Sequence, residues 1–344
     1  MIAPGSYDRD PLPALRIVSY STRTVAGGPA ILARCIQART RHQCRCVWAT
    51  RRSKSGIEFA GDIEWKESPD EALAELERAD LVIVTNGRVD RRHEAIIREK
   101  AAITLARNYP WNVDQTLVRR GYPGLVLGHY QATLPEFRDW HVVPNPLPLW
   151  EEDYRPGTKA DELTVCYTPN GKHDVYSRGD LLYWHSKGYE STMATLDRLA
   201  AEFPIRLETL RDGKRVSHAE ALAIKRRSHI VIDECVTGSY HKSSIEGLAA
   251  GCVVVNGVGL LEGMEDVLRY CSAAEAGNPF VFSDLERLPD VLTGLIESGT
   301  DSLLERGRRG RKWMERYWDF GVQWPRFWVE PVRGALIRAG SDKL

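Results

Sequence analysis

The chain has 344 residues, of which 43% are hydrophobic and 27% charged. That length exceeds one ordinary core and the composition is globular, so two domains of about 150 residues each are expected. Lysine plus arginine equal aspartate plus glutamate at 47 each, which argues against a protein that tracks a phosphate backbone, since such proteins carry a basic excess or stripe.

The short basic runs 306–312 and 225–227 are mixed with acids and read as solvated helix faces. Seven cysteines, an odd number with no C-x-x-C pair, fit neither a disulfide framework nor a zinc site. Cys44 and Cys46 flank one residue of an expected strand, share a face, and read as small buried side chains. The sequence opens without a basic stretch followed by an apolar one. No apolar run approaches the length of a membrane span. A cytoplasmic protein with no membrane segment is the expectation.

In chain order, the first ten residues form a loose tail. Residues 15–19 are a short apolar run of the buried parallel-strand type, Gly27-Gly28-Pro29 is a turn, and 30–38 is helical. Strand, glycine turn and helix open a nucleotide-binding type of α/β unit. Strands are expected at 44–49, 80–85, 101–106, 125–127 and 141–143, with helices at 68–78 and 92–100. Ser68 with Pro69 makes a good N-terminus for the helix at 68–78. His93, on the charged helix 92–100, reads as exposed. Three prolines within 144–148 stop the pattern and mark the domain boundary.

The second half repeats the rhythm: strands at 163–168, 205–208, 230–233 and 252–256, and helices at 188–202, 217–227 and 244–250. Alternating strands and helices predict parallel sheets covered by helices on both faces, an α/β fold of two Rossmann-like domains. Beyond Asp284 the chain reads as helical. Trp313, Trp318, Trp324 and Trp328 read as interdomain core rather than stacking platforms.

The segment 230–256 carries the most chemistry. A strand ends in Asp233-Glu234, a hydroxyl-rich glycine loop follows, and a helix begins near Ser243 with Glu246 about one turn in. The amino end of a helix attracts anions through its N–H groups and dipole. Ser243 and Ser244 add hydroxyls and Lys242 adds charge, so a phosphate is expected there with Glu246 reaching toward a ribose.

These residues resemble the donor-site signature of retaining GT-B glycosyltransferases of family four, roughly E-G-x-G-x-x-x-x-E-A-x-A-x-G-x-P-V. The run from Gly238 through Tyr240, Lys242, Ser243, Ser244 and Glu246 to Gly251-Cys252-Val253-Val254 carries the resemblance. It implies that Glu246 holds the donor ribose. The family's first glutamate falls on Gly238, with Glu234 or Asp233 as substitutes, and its proline falls on Cys252. His185-Ser186-Lys187-Gly188 is similar to the Lys-Gly pair whose lysine neutralises donor phosphate. The arginine that accompanies it has Arg178 and Lys172 as replacements. The segment 141–146 is similar to the interdomain Val-Ile-Pro-Asn-Gly, Gly27-Gly28 to the loop facing the donor phosphate or acceptor, and the tryptophan-rich end to the helix that crosses back onto the N-terminal domain. The implied domains are 1–146, completed by a helix at about 318–340, and 147–317, facing across a cleft.

The resemblance implies a metal-independent enzyme with no cofactor, using a UDP- or GDP-linked hexose as co-substrate. Retaining transfer needs no general base, because the departing phosphate oxygen accepts the proton and catalysis rests on positioning and charge stabilisation. His129, at a strand end, is the candidate catalytic residue of the N-terminal half beside Lys187. The acceptor stays open among a small molecule, a glycan precursor, a protein and a modified nucleobase. Rival readings are an inverting transferase or nucleotide-sugar epimerase of the same fold, and a noncatalytic nucleotide-sugar-binding protein. A dinucleotide oxidoreductase is disfavoured, because the first turn lacks G-x-G-x-x-G and the second strand lacks a terminal acid.

Overall fold

A computed structural model describes residues 10–53, 57–59, 62–169, 174–180, 182–210 and 216–343. Residues 1–9 of the expected tail and the candidate Lys172 lie outside them, whereas Asp10, the tenth residue of that tail, is buried and bonded rather than loose. The chain divides into two compact units, Met1–Pro148 with Trp318–Leu344, and Leu149–Tyr317.

The first unit runs β1 (Arg16–Ser21), α1 (Gly28–Arg39), β2 (Gln43–Trp48), β3 (Ile63–Glu64), α2 (Pro69–Arg78), β4 (Leu81–Thr85), α3 (Glu94–Arg98), β5 (Ala101–Ala106), α4 (Thr116–Arg119), β6 (Gly124–Leu127) and β7 (His141–Val143). Its described strands form one parallel sheet in the order β3-β2-β1-β4-β5-β6-β7. The strands read as unbroken apolar runs because both faces are covered: every residue of β4, β5 and β6 is buried.

The second unit runs β8 (Thr164–Tyr167), α5 (Tyr189–Glu202), β9 (Arg206–Thr209), α6 (His218–Arg227), β10 (Ile230–Ile232), α7 (Lys242–Ala249), β11 (Val253–Asn256), α8 (Met264–Cys271), β12 (Val281–Phe282), α9 (Leu288–Glu297) and α10 (Gly299–Tyr317). Its sheet, also parallel, has the order β12-β11-β10-β8-β9. Val165, Ile230, Ile232 and Val255 pack beneath α5 and α9 through Leu196, Leu199 and Leu292.

After α10, Asp319 caps α11 (Phe320–Gln323), accepting from the Gly321 N–H. A π-turn over Trp324–Trp328 leads to α12 (Val329–Ala339). Trp313 closes on the second unit, donating to the Ala276 carbonyl at 3.0 Å. Trp318, Trp324 and Trp328 are core residues of the first, the last two stacked at 6.2 Å. Trp324 Nε1 donates to Asp10 at 2.8 Å, and Asp10 also meets His42 at 2.9 Å.

Two expectations change here. His93 is buried rather than exposed, lying 2.9 Å from the Tyr20 hydroxyl and edge-on to Trp65. The helix expected over 92–100 shortens to α3, because Asp90 accepts from the Arg92 N–H and holds a turn ahead of it. The two-residue strands β3 and β12 are too short for periodicity to show.

Candidate functional site

β10 ends at Ile232 and delivers Asp233 to the amino end of α7. Asp233 Oδ2 accepts the His241 N–H at 2.9 Å and the Ser244 hydroxyl at 2.7 Å, with His241 Nδ1 at 3.2 Å. Lys187, just ahead of α5, places Nζ 3.6 Å from Oδ1. Burial pushes this carboxyl up, but Lys187, His241 and Ser244 outweigh it and hold it well below the usual range. The carboxylate thus ties the residue before α7 and the hydroxyl of Ser244 to the end of β10.

One turn along, Glu246 is equally committed. Lys225 of α6 reaches Oε2 at 2.5 Å, His218 Nε2 lies 2.7 Å from Oε1, and Lys242 Nζ is 3.4 Å away. Burial opposes ionisation, yet Lys225, Lys242 and His218 keep the carboxyl far below its ordinary value. Lys225, itself stripped of water, is held charged by the same contact. The i, i+4 spacing of Lys242 and Glu246 puts them on one face of α7.

Burial sorts these groups by role. Asp233, Ser244, Glu246 and Lys225 are buried, whereas the side chains of Lys187, Lys242, His218 and His241 keep 12%, 20%, 22% and 22% of their exposure. Two buried carboxylates thus anchor a partly exposed set of two lysines and two histidines, and with Lys225 behind it the lysines outnumber the carboxylates by three to two, a net charge of +1 with the histidines left uncounted. Such a face suits a polyanion. Glu234, by contrast, turns inward and accepts from the N–H groups of Val236 and Thr237, both at 2.7 Å, and from the Thr237 hydroxyl at 2.6 Å. It shapes the loop that Gly238 completes in a left-handed conformation (φ 81°), where a Cβ would lie 2.3 Å from the Leu261 nitrogen.

The residues expected at the site differ in burial and in bonding. Ser244 has no exposed surface and spends its hydroxyl on Asp233 while accepting from Asn256 at 3.1 Å. Tyr240 is core, packed on Phe280 at 5.7 Å. Glu234 has no surface to offer a sugar. Glu246 has both oxygens engaged by His218 and Lys225 and stands in the second turn of α7. Lys225, read as part of a solvated face, is 3% exposed. Ser243 is half-buried beside Lys242, and Arg178 is an exposed turn residue.

His129, Gly27 and Gly28 belong to the first unit. His129 is buried just past β6, and Gly27 (φ 73°) leads into α1, with the Phe59 ring where its Cβ would be.

The comparisons concern the fold. No family model matches the sequence, and no curated protein does. Solved structures do match. An α-glucosyltransferase in complex with UDP-glucose and DNA containing an abasic site aligns with a TM-score of 0.58 at 10% identity, over 94% of this chain and all of that one. The same enzyme type with UDP and a 13-mer DNA containing a HMU base gives 0.57 at 10%, over 93% and 100%. The catalytic domain of starch synthase IV from Arabidopsis thaliana bound to ADP and acarbose gives 0.56 at 7%, over 93% and 100%. The fold is GT-B. In this GT-B chain the cationic face lies on the second unit, and no helix among the described residues is long and apolar enough to cross a membrane.

Sequence reasoning missed His218, Lys225 and His241. A signal existed for the first two: seven residues apart on α6, they repeat on one face two turns along. Nothing in the sequence paired that face with Glu246.

Proposed function

We propose that the protein is a glycosyltransferase that moves a hexose from a UDP- or GDP-linked donor to an acceptor hydroxyl with retention of configuration. The observation that carries this reading is the cationic face of Lys187, His241, Lys242 and His218, anchored on buried Asp233 and Glu246 at the amino end of α7. The GT-B fold and neighbours whose structures hold UDP, UDP-glucose or ADP support it.

In the proposed reaction the bond from the sugar's anomeric carbon to the diphosphate oxygen breaks as the acceptor oxygen bonds to that carbon. The acceptor proton passes to the departing phosphate oxygen. Lys187 and Lys242 stabilise charge on the leaving diphosphate and stand where a metal ion would otherwise be needed. Asp233 and Glu246 fix the positions of those cations, and Ser243 lies on the same helix end. This assigns Glu246 an organising part in place of the ribose contact that the resemblance implies.

The test is a thermal-shift panel of UDP-, GDP-, ADP- and CMP-sugars. A ligand at a hundred times its Kd adds about 2.7 kcal/mol. Lys187→Met and Lys242→Met are expected to weaken the stabilising donor at least tenfold. Donor turnover with EDTA present, and the anomeric configuration of the product on an acceptor panel that includes HMU-containing DNA, test the rest. A panel without any stabilising nucleotide sugar, or lysine variants that bind as wild type does, refutes the assignment.

A further inference from the structure

The chain has ten tryptophans, and Trp111 alone among them is exposed, at 54%. It stands in the loop that follows β5, at the carboxyl end of a parallel sheet, the side on which open α/β sheets take their ligands. Its ring is the top of an aromatic tier. Tyr109 stacks on it at 4.6 Å with the planes 5° apart, and Tyr130 tilts against Tyr109 at 5.8 Å. One face of the indole is therefore covered and the other faces solvent.

The backbone holds that ring in place. Pro110 opens a single 3-10 turn over Pro110–Asn112, in which the Asn112 N–H donates to the Tyr109 carbonyl at 2.9 Å and the Val113 N–H to the Pro110 carbonyl at 3.0 Å. Val113 packs into the core with Ala106, Val126 and Phe137. The Asp114 N–H reaches the Asn86 carbonyl at 2.8 Å, and Arg88 Nε reaches the Asn112 carbonyl at 2.8 Å. A ring fixed in this way gives up little freedom on binding, which removes one of the main costs of recognition by a surface side chain.

The polar groups of the loop select what stacks there. An aromatic face is electron-rich and attracts either the C–H face of a sugar ring or a nucleobase. Asn108 and Asn112 flank the tier half-buried, and neither side chain has a partner among the described residues. Each amide offers both donors and acceptors, as vicinal hydroxyls require. Gln131, next to Tyr130, gives Nε2 to the Arg107 carbonyl at 3.2 Å, while its buried Oε1 has no partner there. Residues 108–115 contain one aspartate and no lysine or arginine. A nucleic acid strand asks for cations along its backbone, whereas a neutral polyol is served by amides.

We propose that Trp111 is the stacking platform for a pyranose ring of a carbohydrate acceptor, with Asn108 and Asn112 hydrogen-bonding its hydroxyls. Calling that sugar an acceptor rests on the glycosyltransferase reading; the sugar binding itself does not.

The experiment labels the full chain with 5-fluorotryptophan and assigns the Trp111 resonance as the one missing from Trp111→Tyr. Fluorine NMR then follows titration with maltotriose, cellotriose, chitotriose and mannotriose, and with an oligothymidylate. At least one trisaccharide is expected to shift the Trp111 resonance saturably, in wild type and in Lys187→Met alike, and the oligothymidylate is not. By calorimetry, Trp111→Ala should bind that trisaccharide roughly tenfold more weakly, about 1.4 kcal/mol. Trp111→Tyr keeps a flat ring and should retain most of the affinity, a rescue that a merely structural role would not give. Asn112→Ala should weaken binding with the Trp111 ring intact. A Trp111 resonance that no trisaccharide moves overturns the proposal, as does one moved by the oligothymidylate instead, or a self-association of the chain that Trp111→Ala abolishes. In each of those cases a stabilising nucleotide sugar would leave the glycosyltransferase reading standing. If a trisaccharide binds at Trp111 but no nucleotide sugar stabilises the chain, that reading fails and the platform stands.

Discussion

Replacing Lys225 with methionine leaves Glu246 ionised in a dry pocket. Lys225 Nζ sits 2.5 Å from Oε2, and both side chains are 4% exposed. Removing one partner of a buried pair typically costs about 3–5 kcal/mol. His218 and Lys242 stay near the other oxygen, which places the expected cost at the lower end, about 3 kcal/mol. For a domain of this size 1 kcal/mol shifts Tm by about 2–4 °C, giving a fall of about 6–12 °C. Thermal unfolding and urea titration, followed by tryptophan fluorescence, would measure it. The double variant Lys225→Met with Glu246→Leu removes both charges and should recover most of the loss, because a neutral filled pocket carries no desolvation cost. The pH dependence supplies an independent check. Glu246 is depressed in the wild type, so its stabilisation is present above the unfolded pKa and is lost as pH falls through the folded one. Without Lys225 the carboxyl titrates higher and protonates first, so the deficit of the variant narrows as pH falls below about 5. A Lys225→Met protein as stable as wild type at pH 7, or a double variant as unstable as the single one, would refute this account of the network.

Asp233→Asn should lower Tm and abolish part of the acid sensitivity. Asp233 is held below its ordinary value, so its contribution is present above the unfolded pKa and fades as pH falls through the folded one, and a pH series of melts would show a flatter acid limb in the variant. Gly238→Ala is expected to cost more than about 2 kcal/mol in urea unfolding, since the new methyl meets the Leu261 backbone nitrogen at 2.3 Å in a left-handed conformation. Trp324→Phe removes the 2.8 Å bond to Asp10 and should cost about 1–2 kcal/mol, with little change in the donor response if the two units act as assigned.

The sequence by itself determined the class of fold and the order of its elements. Buried parallel strands must be apolar on both faces, so β4, β5 and β11 announce themselves as runs such as Leu-Val-Ile-Val and Val-Val-Val. Ser68-Pro69 marks a helix start for equally local reasons. The segment 230–256 likewise shows a strand, a glycine loop and a helix meeting at an acid pair, because those signals span few residues. What each polar group does was decided only by tertiary packing. Lys225 looks like a surface lysine until α6 lies beside α7 and buries it on Glu246, 21 residues away. Ser244 reads from the sequence as a hydroxyl for a phosphate and Asp233 as a contact for a donor-sugar hydroxyl, and only the fold shows the two bonded to each other. Helical and strand periods report which side of an element is apolar. The partner of a buried charge is chosen by long-range contact, and no local period records it.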